Sequence, residues 1–285
     1  MELLTHSLPE DCDIVVFGDT HYGSKTCSEG TMQEIINRIN RKNTYCVFLG
    51  DAIDAKTVDH PHFSHEVHDA RKTPLVQITE WCDIMRQIPK EKWLANLTGN
   101  HEFKLHKFGN LTKVACENLG GIPYGGFLCK LTIKSKKSGR PMFRMVATHG
   151  SKCANSTSPD PLQRRRIIEG QIKRAISSLG FSDCVVGVMG HGHRLCVVQP
   201  AHEPFFSSDG DKLIGKYTKA RQIDEWIDED LRFHAMCGST ARTLVVGAAS
   251  YSELASYQPA QLGCVEIVVR GGVIGAVSEI HMGHV

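Results

Sequence analysis

The sequence predicts an α/β domain in which a second β-sheet packs on the first, with metal-type side chains gathered at strand ends. Three observations carry that prediction. A buried strand, an amphipathic helix and a second buried strand follow one another between residues 13 and 49, the order of a right-handed βαβ unit. Five strand-like runs each end in a polar elbow that holds Asp, His or Asn. Beyond residue 194 the chain is β-prone, with runs at 194–200, 232–237, 244–248, 264–270 and 273–280 that supply a second sheet.

Residues 13–17 are a continuous apolar run, the pattern of a strand buried on both faces, and they end in Gly18-Asp19-Thr20-His21. Met32, Ile35, Ile36 and Ile39 fall at helical spacing within 28–41, with Ser28 placed to cap that helix. The strand at 45–49 ends in Gly50-Asp51-Ala52-Ile53-Asp54. Because the two strands are parallel, both elbows emerge at one edge of the sheet, and Asp19, His21 and Asp51 become neighbours. Residues 55–72 lose all periodicity and contain His60, His62, His65 and His68, which reads as a loop beside that edge. A helix over 74–88 and a strand at 93–97 lead into Asn100 and His101, and a helix over 110–119 stops at Gly120-Gly121. Strands at 127–134 and 142–147 flank a basic turn at 135–140, and the second ends at His149. A basic helix over 161–179 and a strand at 184–189 precede Gly190-His191-Gly192-His193.

No repeat, low-complexity segment or linker interrupts the chain, so 1–285 parses as one domain, with its motifs within 13–193 and the β-rich 194–285 completing the second sheet. A chain of 285 residues with 41% hydrophobic and 22% charged residues can bury a sizeable core. A net charge of +2 gives no strong field, which argues against a coating of nucleic acid driven by charge alone. The first ten residues lack the basic start and apolar run of a signal peptide, and no stretch reaches the length of a membrane span. Eleven cysteines are scattered singly with no C-x-x-C pair, as expected of reduced, buried thiols. The expectation is a cytoplasmic protein with no membrane contact.

The elbows present Asp19 and His21, Asp51 and Asp54, Asn100 with His101 and Glu102, His149, and His191 with His193. Carboxylate, imidazole and amide donors without thiolate suit divalent ions such as Mn, Fe, Zn, Co, Ni or Mg. Seven potential ligands are too many for one catalytic ion with an open position, whereas two ions bridged by a carboxylate use them all. A tetrapeptide such as Gly99-Asn100-His101-Glu102 is by itself an ordinary turn signal, and its weight comes from the other four segments.

The order D-x-H, G-D-x-x-D, G-N-H-E, H-G, G-H-x-H resembles that of the calcineurin-like metallophosphoesterase superfamily over about residues 13 to 193. The resemblance implies a four-layer α/β/β/α sandwich, two mixed sheets flanked by helices. It also implies Asp19, His21 and His193 on one metal, Asn100, His149 and His191 on a second, and Asp51 bridging, with manganese the first expectation. His101 becomes the general acid that protonates the leaving oxygen, and Asp54 the carboxylate that orients it. The superfamily's protein phosphatases carry Arg where this chain has Ala55 and Thr98, which argues against protein dephosphorylation. The retained histidine suits the poor alkoxide leaving group of a phosphodiester.

Other features have plainer readings beside functional ones. The histidines of 60–68 line the substrate mouth or bind a further ion. Arg164, Arg165 and Arg166, after His149, meet substrate phosphates or form a solvated face, and Asn100 is a further candidate substrate contact. Lys136, Lys137 and Arg140 read as solvated, and His281 to His284 as a frayed tail. The expected function is hydrolysis of a nucleotide or nucleic-acid phosphodiester (DNA, RNA or a cyclic nucleotide) by a dinuclear-metal phosphodiesterase or nuclease. A phosphomonoesterase of small molecules or proteins is the alternative enzyme, and a metal-binding scaffold the non-enzyme alternative.

Overall fold

The computed structural model describes residues 1–283, Tyr251 by its backbone alone, so His284 of the expected tail lies outside the described residues. The chain opens with β1 (Glu2–Leu8), β2 (Cys12–Phe17), α1 (Glu29–Ile39) and β3 (Thr44–Phe48). Next come α2 (Pro74–Met85), β4 (Trp93–Leu97), α3 (Asn100–Lys104), α4 (Leu111–Asn118) and β5 (Tyr124–Gly126). The hairpin β6 (Leu128–Ser135) and β7 (Pro141–Thr148) follows, then α5 (Pro161–Ser177), β8 (Val186–Met189) and β9 (Cys196–Val198). A hairpin of β10 (Pro204–Asp209) and β11 (Lys212–Tyr217), then β12 (Phe233–Met236), α6 (Tyr251–Leu254), β13 (Gly263–Arg270) and β14 (Val273–His281) complete the chain.

Two six-stranded mixed sheets result, ordered β14-β13-β2-β3-β4-β5 and β1-β6-β7-β8-β12-β9. Strands β2 to β5 are parallel, as the βαβ pattern predicts, and β13 closes onto β2 antiparallel. Helices α1 and α4 pack on the first sheet and α5 on the second, which gives the layers α/β/β/α. The hydroxyl of Ser28 accepts the Thr31 amide at 3.3 Å, capping α1, and Met32, Ile35, Ile36 and Ile39 are buried against the sheet. On α5 the buried residues Ile168, Ile172 and Ile176 recur every four positions. Each contributes about 1.5–3 kcal/mol by leaving water, so Ile172→Ala costs roughly 2–5 kcal/mol.

The structure corrects the sheet assignment of the C-terminal part. Strands β9 and β12 lie in the second sheet as expected, but β13 and β14 extend the first, with Val265 opposite Val16 and Val269 opposite Cys12. A strand's residue pattern fixes which faces are buried and not which edge it joins, and here β13 covers the edge β2 would otherwise leave open. The run 244–248 is not a strand but a tight turn, with a single bridge from Val245 to Ala248 and Gly247 at φ +75°. Strand β1 alternates half-buried and exposed side chains along the β6 edge, a pattern too short and polar to stand out in sequence. The hairpin of β10 and β11 lies outside both sheets and is almost wholly exposed.

Candidate metal centre

Every elbow reaches the same end of the sandwich. Asp19 and His21 follow β2, Asp51 and Asp54 follow β3, Asn100 opens α3 after β4, His149 follows β7, and His191 and His193 follow β8. The first two elbows stay zipped beyond their strands, since the amides of Asp19, His21 and Tyr22 donate to the carbonyls of Gly50, Asp51 and Ala52 at 2.9, 3.1 and 3.0 Å. A Cβ on Gly99 would collide with the Asp51 carboxylate and amide, so glycine is required where the second and third elbows cross. Of the eight non-glycine residues with positive φ among the described residues, five are Asp19, Asp51, His21, His191 and His193. Such conformations cost of order 1–3 kcal/mol each and concentrate where function requires them.

Three donor groups form. Asp19, His21 and His193 offer atoms within 4.8 Å of one another, so do Asp51, His149 and His191, and a third group, His21, Asp51 and His101, overlaps both. Asn100 joins the second group, its Oδ1 lying 2.8 Å from His149 Nε2 and 2.9 Å from His191 Nδ1. Asp51 lies between the groups, with Oδ2 3.4 Å from His149 Nε2 and 3.8 Å from His21 Nε2. All seven expected ligands are thus brought together. A carbonyl only accepts, so His149 Nδ1 donates to Leu49 O at 2.8 Å, which leaves Nε2 as the ligating nitrogen. The Nε2 atoms of His21 and His193 lie 3.0 Å apart, and each faces Asp19 Oδ1, at 4.0 and 3.5 Å. These residues therefore fit divalent ions.

The electrostatics point the same way. Burial alone would raise the carboxyls of Asp19 and Asp51, but His193 beside Asp19 and His149 beside Asp51 hold both below the usual range. Burial opposes charge on His149, yet Asp51, with help from Asp19, raises its pKa to about 9. Burial and the nearby His101 push His21 down to about 3. Burial opposes charge on His193 as well, yet Asp19 raises its pKa, so the first two donor groups each pair a carboxylate with an imidazole that favours the proton.

Around this centre the structure adds partners. Glu102, buried, accepts the amides of Gly99 (2.9 Å), Ile53 (3.0 Å) and Asp51 (3.2 Å), and so both caps α3 and ties two elbows together. Burial, then the Asp51 charge, raise its pKa to about 7. His101 stands beside the ligands, its Nδ1 2.6 Å from the main-chain oxygen of Asp54. The expected orientation by the Asp54 carboxylate is corrected here. That carboxylate lies 4.0 Å from His101 and is instead 2.9 Å from His68 and 3.2 Å from Lys56. Burial raises the Asp54 carboxyl, but His68 and Lys56 outweigh it and hold it low.

The centre opens into a cleft of about 740 Å³ lined by His60, His62, Asn100, His101, Arg194 and Arg242 among others. His60 and His62 face this mouth, as one sequence reading has it, and none of the 60–68 histidines enters a three-donor group among the described residues. Arg164 and Arg165 do not reach the cleft. Arg164 donates to the carbonyls of Ser158 (2.9 Å) and Pro159 (3.2 Å), and Arg165 is bound to Glu169 (2.7 Å) and Glu279 (2.6 Å). Sequence reasoning placed His68 in the loop beside the site but missed its contact with Asp54, which nothing but proximity reveals, and it missed Arg194, whose signal is its place directly after His193.

Fold and site together define a two-sheet α/β protein whose strand-end histidines and aspartates could hold metal ions. No protein-family model matches the chain, and no curated protein matches it. Among solved structures it is similar to a conserved uncharacterized protein from Streptococcus pneumoniae, described as a predicted phosphoesterase. That match has 12% identity, covers 95% of this chain and 98% of the other, and has a TM-score of 0.32. Among the described residues, no helix is long and apolar enough to cross a membrane.

Proposed function

We propose that the protein is a metal-dependent phosphoesterase that hydrolyses nucleotide phosphodiesters. The observation that carries this reading is the pair of donor groups with Asp51 between them and His101 at their side. Asp19, His21 and His193 would hold one divalent ion and Asn100, His149 and His191 the other, with manganese the first candidate. Such ions, when bound, make hydroxide available near neutral pH and stabilise charge on the phosphoryl oxygens.

The chain's own groups supply the rest. The Asp51 carboxylate accepts the His101 amide at 2.9 Å and fixes that backbone against the centre. With Nδ1 engaged by the Asp54 carbonyl, the Nε2 proton of His101 is the one directed to the leaving oxygen. Water contributes a hydroxyl to phosphorus and gives up its other proton to solvent, the ester P–O bond breaks, and the departing oxygen takes the His101 Nε2 proton. Ala55 and Thr98, where the superfamily's protein phosphatases carry Arg, are buried, and Thr98 is spent on the Tyr124 hydroxyl at 3.3 Å. That supports a diester over a phosphoprotein. Eleven free cysteines, nine of them buried, support a reducing, cytoplasmic setting.

Manganese-dependent hydrolysis of bis-p-nitrophenyl phosphate, set against p-nitrophenyl phosphate, tests the proposal. Faster turnover of the diester is expected. Preference for the monoester would replace the reading with a phosphomonoesterase, and no turnover of either would leave a metal-binding scaffold.

A further inference from the structure

The walls of the cleft carry a charge pattern that the hydrolysis of one diester does not need. The acids lining it are Asp51 and Asp54, both part of the centre, whereas Lys56, Lys104, Arg194 and Arg242 also face it. Lys56 is matched by Asp54 at 3.2 Å. Among the described residues Lys104, Arg194 and Arg242 face no carboxylate at ion-pair distance, unlike Arg38, Arg165 and Arg270 elsewhere on the surface. Arg194 is held by neutral acceptors, Gln258 Oε1 at 2.6 Å and Asn155 Oδ1 at 3.3 Å, and Arg242 by Ser28 Oγ at 3.3 Å. An amide or hydroxyl oxygen fixes a guanidinium in place without cancelling its charge. Two arginines positioned in this way present forked donors to an anion beside the metal centre.

Resting on the phosphodiesterase reading, we infer that Arg194 and Arg242 form a subsite for a second phosphate of the same substrate molecule. The substrate class is then a nucleotide diester carrying at least one further phosphate, such as a mononucleotide bisphosphate ester or a short single strand. The cleft volume of about 740 Å³ lies in the range of small-ligand sites. Arg194 directly follows His193, so a phosphate bound there adjoins the one at the metal centre.

The test uses two chromogenic esters that differ by one group, the p-nitrophenyl ester of thymidine 5′-phosphate with and without a 3′-phosphate. In each, water adds hydroxyl to phosphorus and nitrophenolate leaves, so the leaving group is constant. The 3′-phosphate is expected to raise kcat/KM at least tenfold, mainly through KM, and this ratio falls toward one in Arg194→Gln and Arg242→Gln but not in Lys136→Gln. Equal kcat/KM for the two esters, or variants that keep the full ratio, would overturn the subsite. Turnover of the ester lacking the 3′-phosphate judges the phosphodiesterase reading separately. Should neither ester react, calorimetric binding of thymidine 3′,5′-bisphosphate to EDTA-treated protein still decides. Binding that the arginine variants lose supports the subsite, and no binding, or binding they retain, overturns it. Competition by the bisphosphate and by a single-stranded oligonucleotide separates the two sources. Inhibition by either supports the subsite, the stronger inhibitor naming the source, and inhibition by neither overturns it.

Discussion

His101 is oriented by the main chain of Asp54 and not by its side chain: Nδ1 lies 2.6 Å from the carbonyl oxygen, while the carboxylate turns to His68 at 2.9 Å. The same carboxylate lies 3.9 Å from His21 Nδ1, behind one of the donor groups. Asp54→Asn therefore leaves the His101 contact intact and disturbs His21. Its metal affinity is expected to fall roughly tenfold, while the dependence of rate on leaving-group pKa stays that of the parent. Metal titration and a series of aryl diesters read the two effects apart; a changed leaving-group slope with unchanged affinity would return the orienting role to the carboxylate.

Removing His101, the proposed acid, should do the opposite. His101→Ala is expected to slow alkyl diesters by roughly 10²–10⁴-fold and nitrophenyl diesters far less, with little change in metal binding. Equal losses for both leaving groups would show that His101 does not donate the proton.

Metal binding should report the centre without any substrate. Two ions at about 100 times their Kd contribute roughly 5 kcal/mol in total, which raises Tm by about 10 °C for a chain of this size. Asp51→Asn should lose most of this shift along with turnover. His149, held near pKa 9 by Asp51 after burial is overcome, must shed its proton to ligate. Metal affinity is thus expected to weaken as pH falls below about 9, and proton release on binding, seen by calorimetry in buffers of different ionisation heat, checks it.

His234, on β12 and remote from the centre, gives a separate pH signature. Burial, reinforced by Arg232 and Lys173, depresses its pKa from 6.5 to about 4. The unfolded chain then binds the proton first, so the neutral side chain's stability is complete above pH 6.5 and is lost as pH falls toward 4. Between pH 7.5 and 5 the native protein should lose about 2 kcal/mol more than His234→Leu, as measured by urea unfolding in EDTA. Parallel pH profiles would rule this out.

The strand ends and their ligands were legible because each rests on a local signal, an apolar run followed by a polar elbow, as in 13–21 and 45–54. What sequence did not reveal depends on contacts between distant segments. The pairing of β13 with β2 joins residues about 250 positions apart, and no local pattern encodes it. Asp54 was expected to meet His101 through its carboxylate because spacing gives proximity and not rotamer, and His68, from the irregular loop, takes that carboxylate instead. The arginines 164 and 165 read as basic and available until Glu279, from β14, is seen to claim Arg165.

Asp19, His21, Asp51, His191 and His193 hold backbone angles, φ from 45° to 67°, that glycine or asparagine would adopt at lower energy. Screening a variant library for heat resistance alone should therefore erode this centre first. His193→Gly, for instance, is expected to melt no lower than the parent in EDTA while binding metal more weakly. An engineered stabilisation of this chain therefore has to be screened for metal binding at every round.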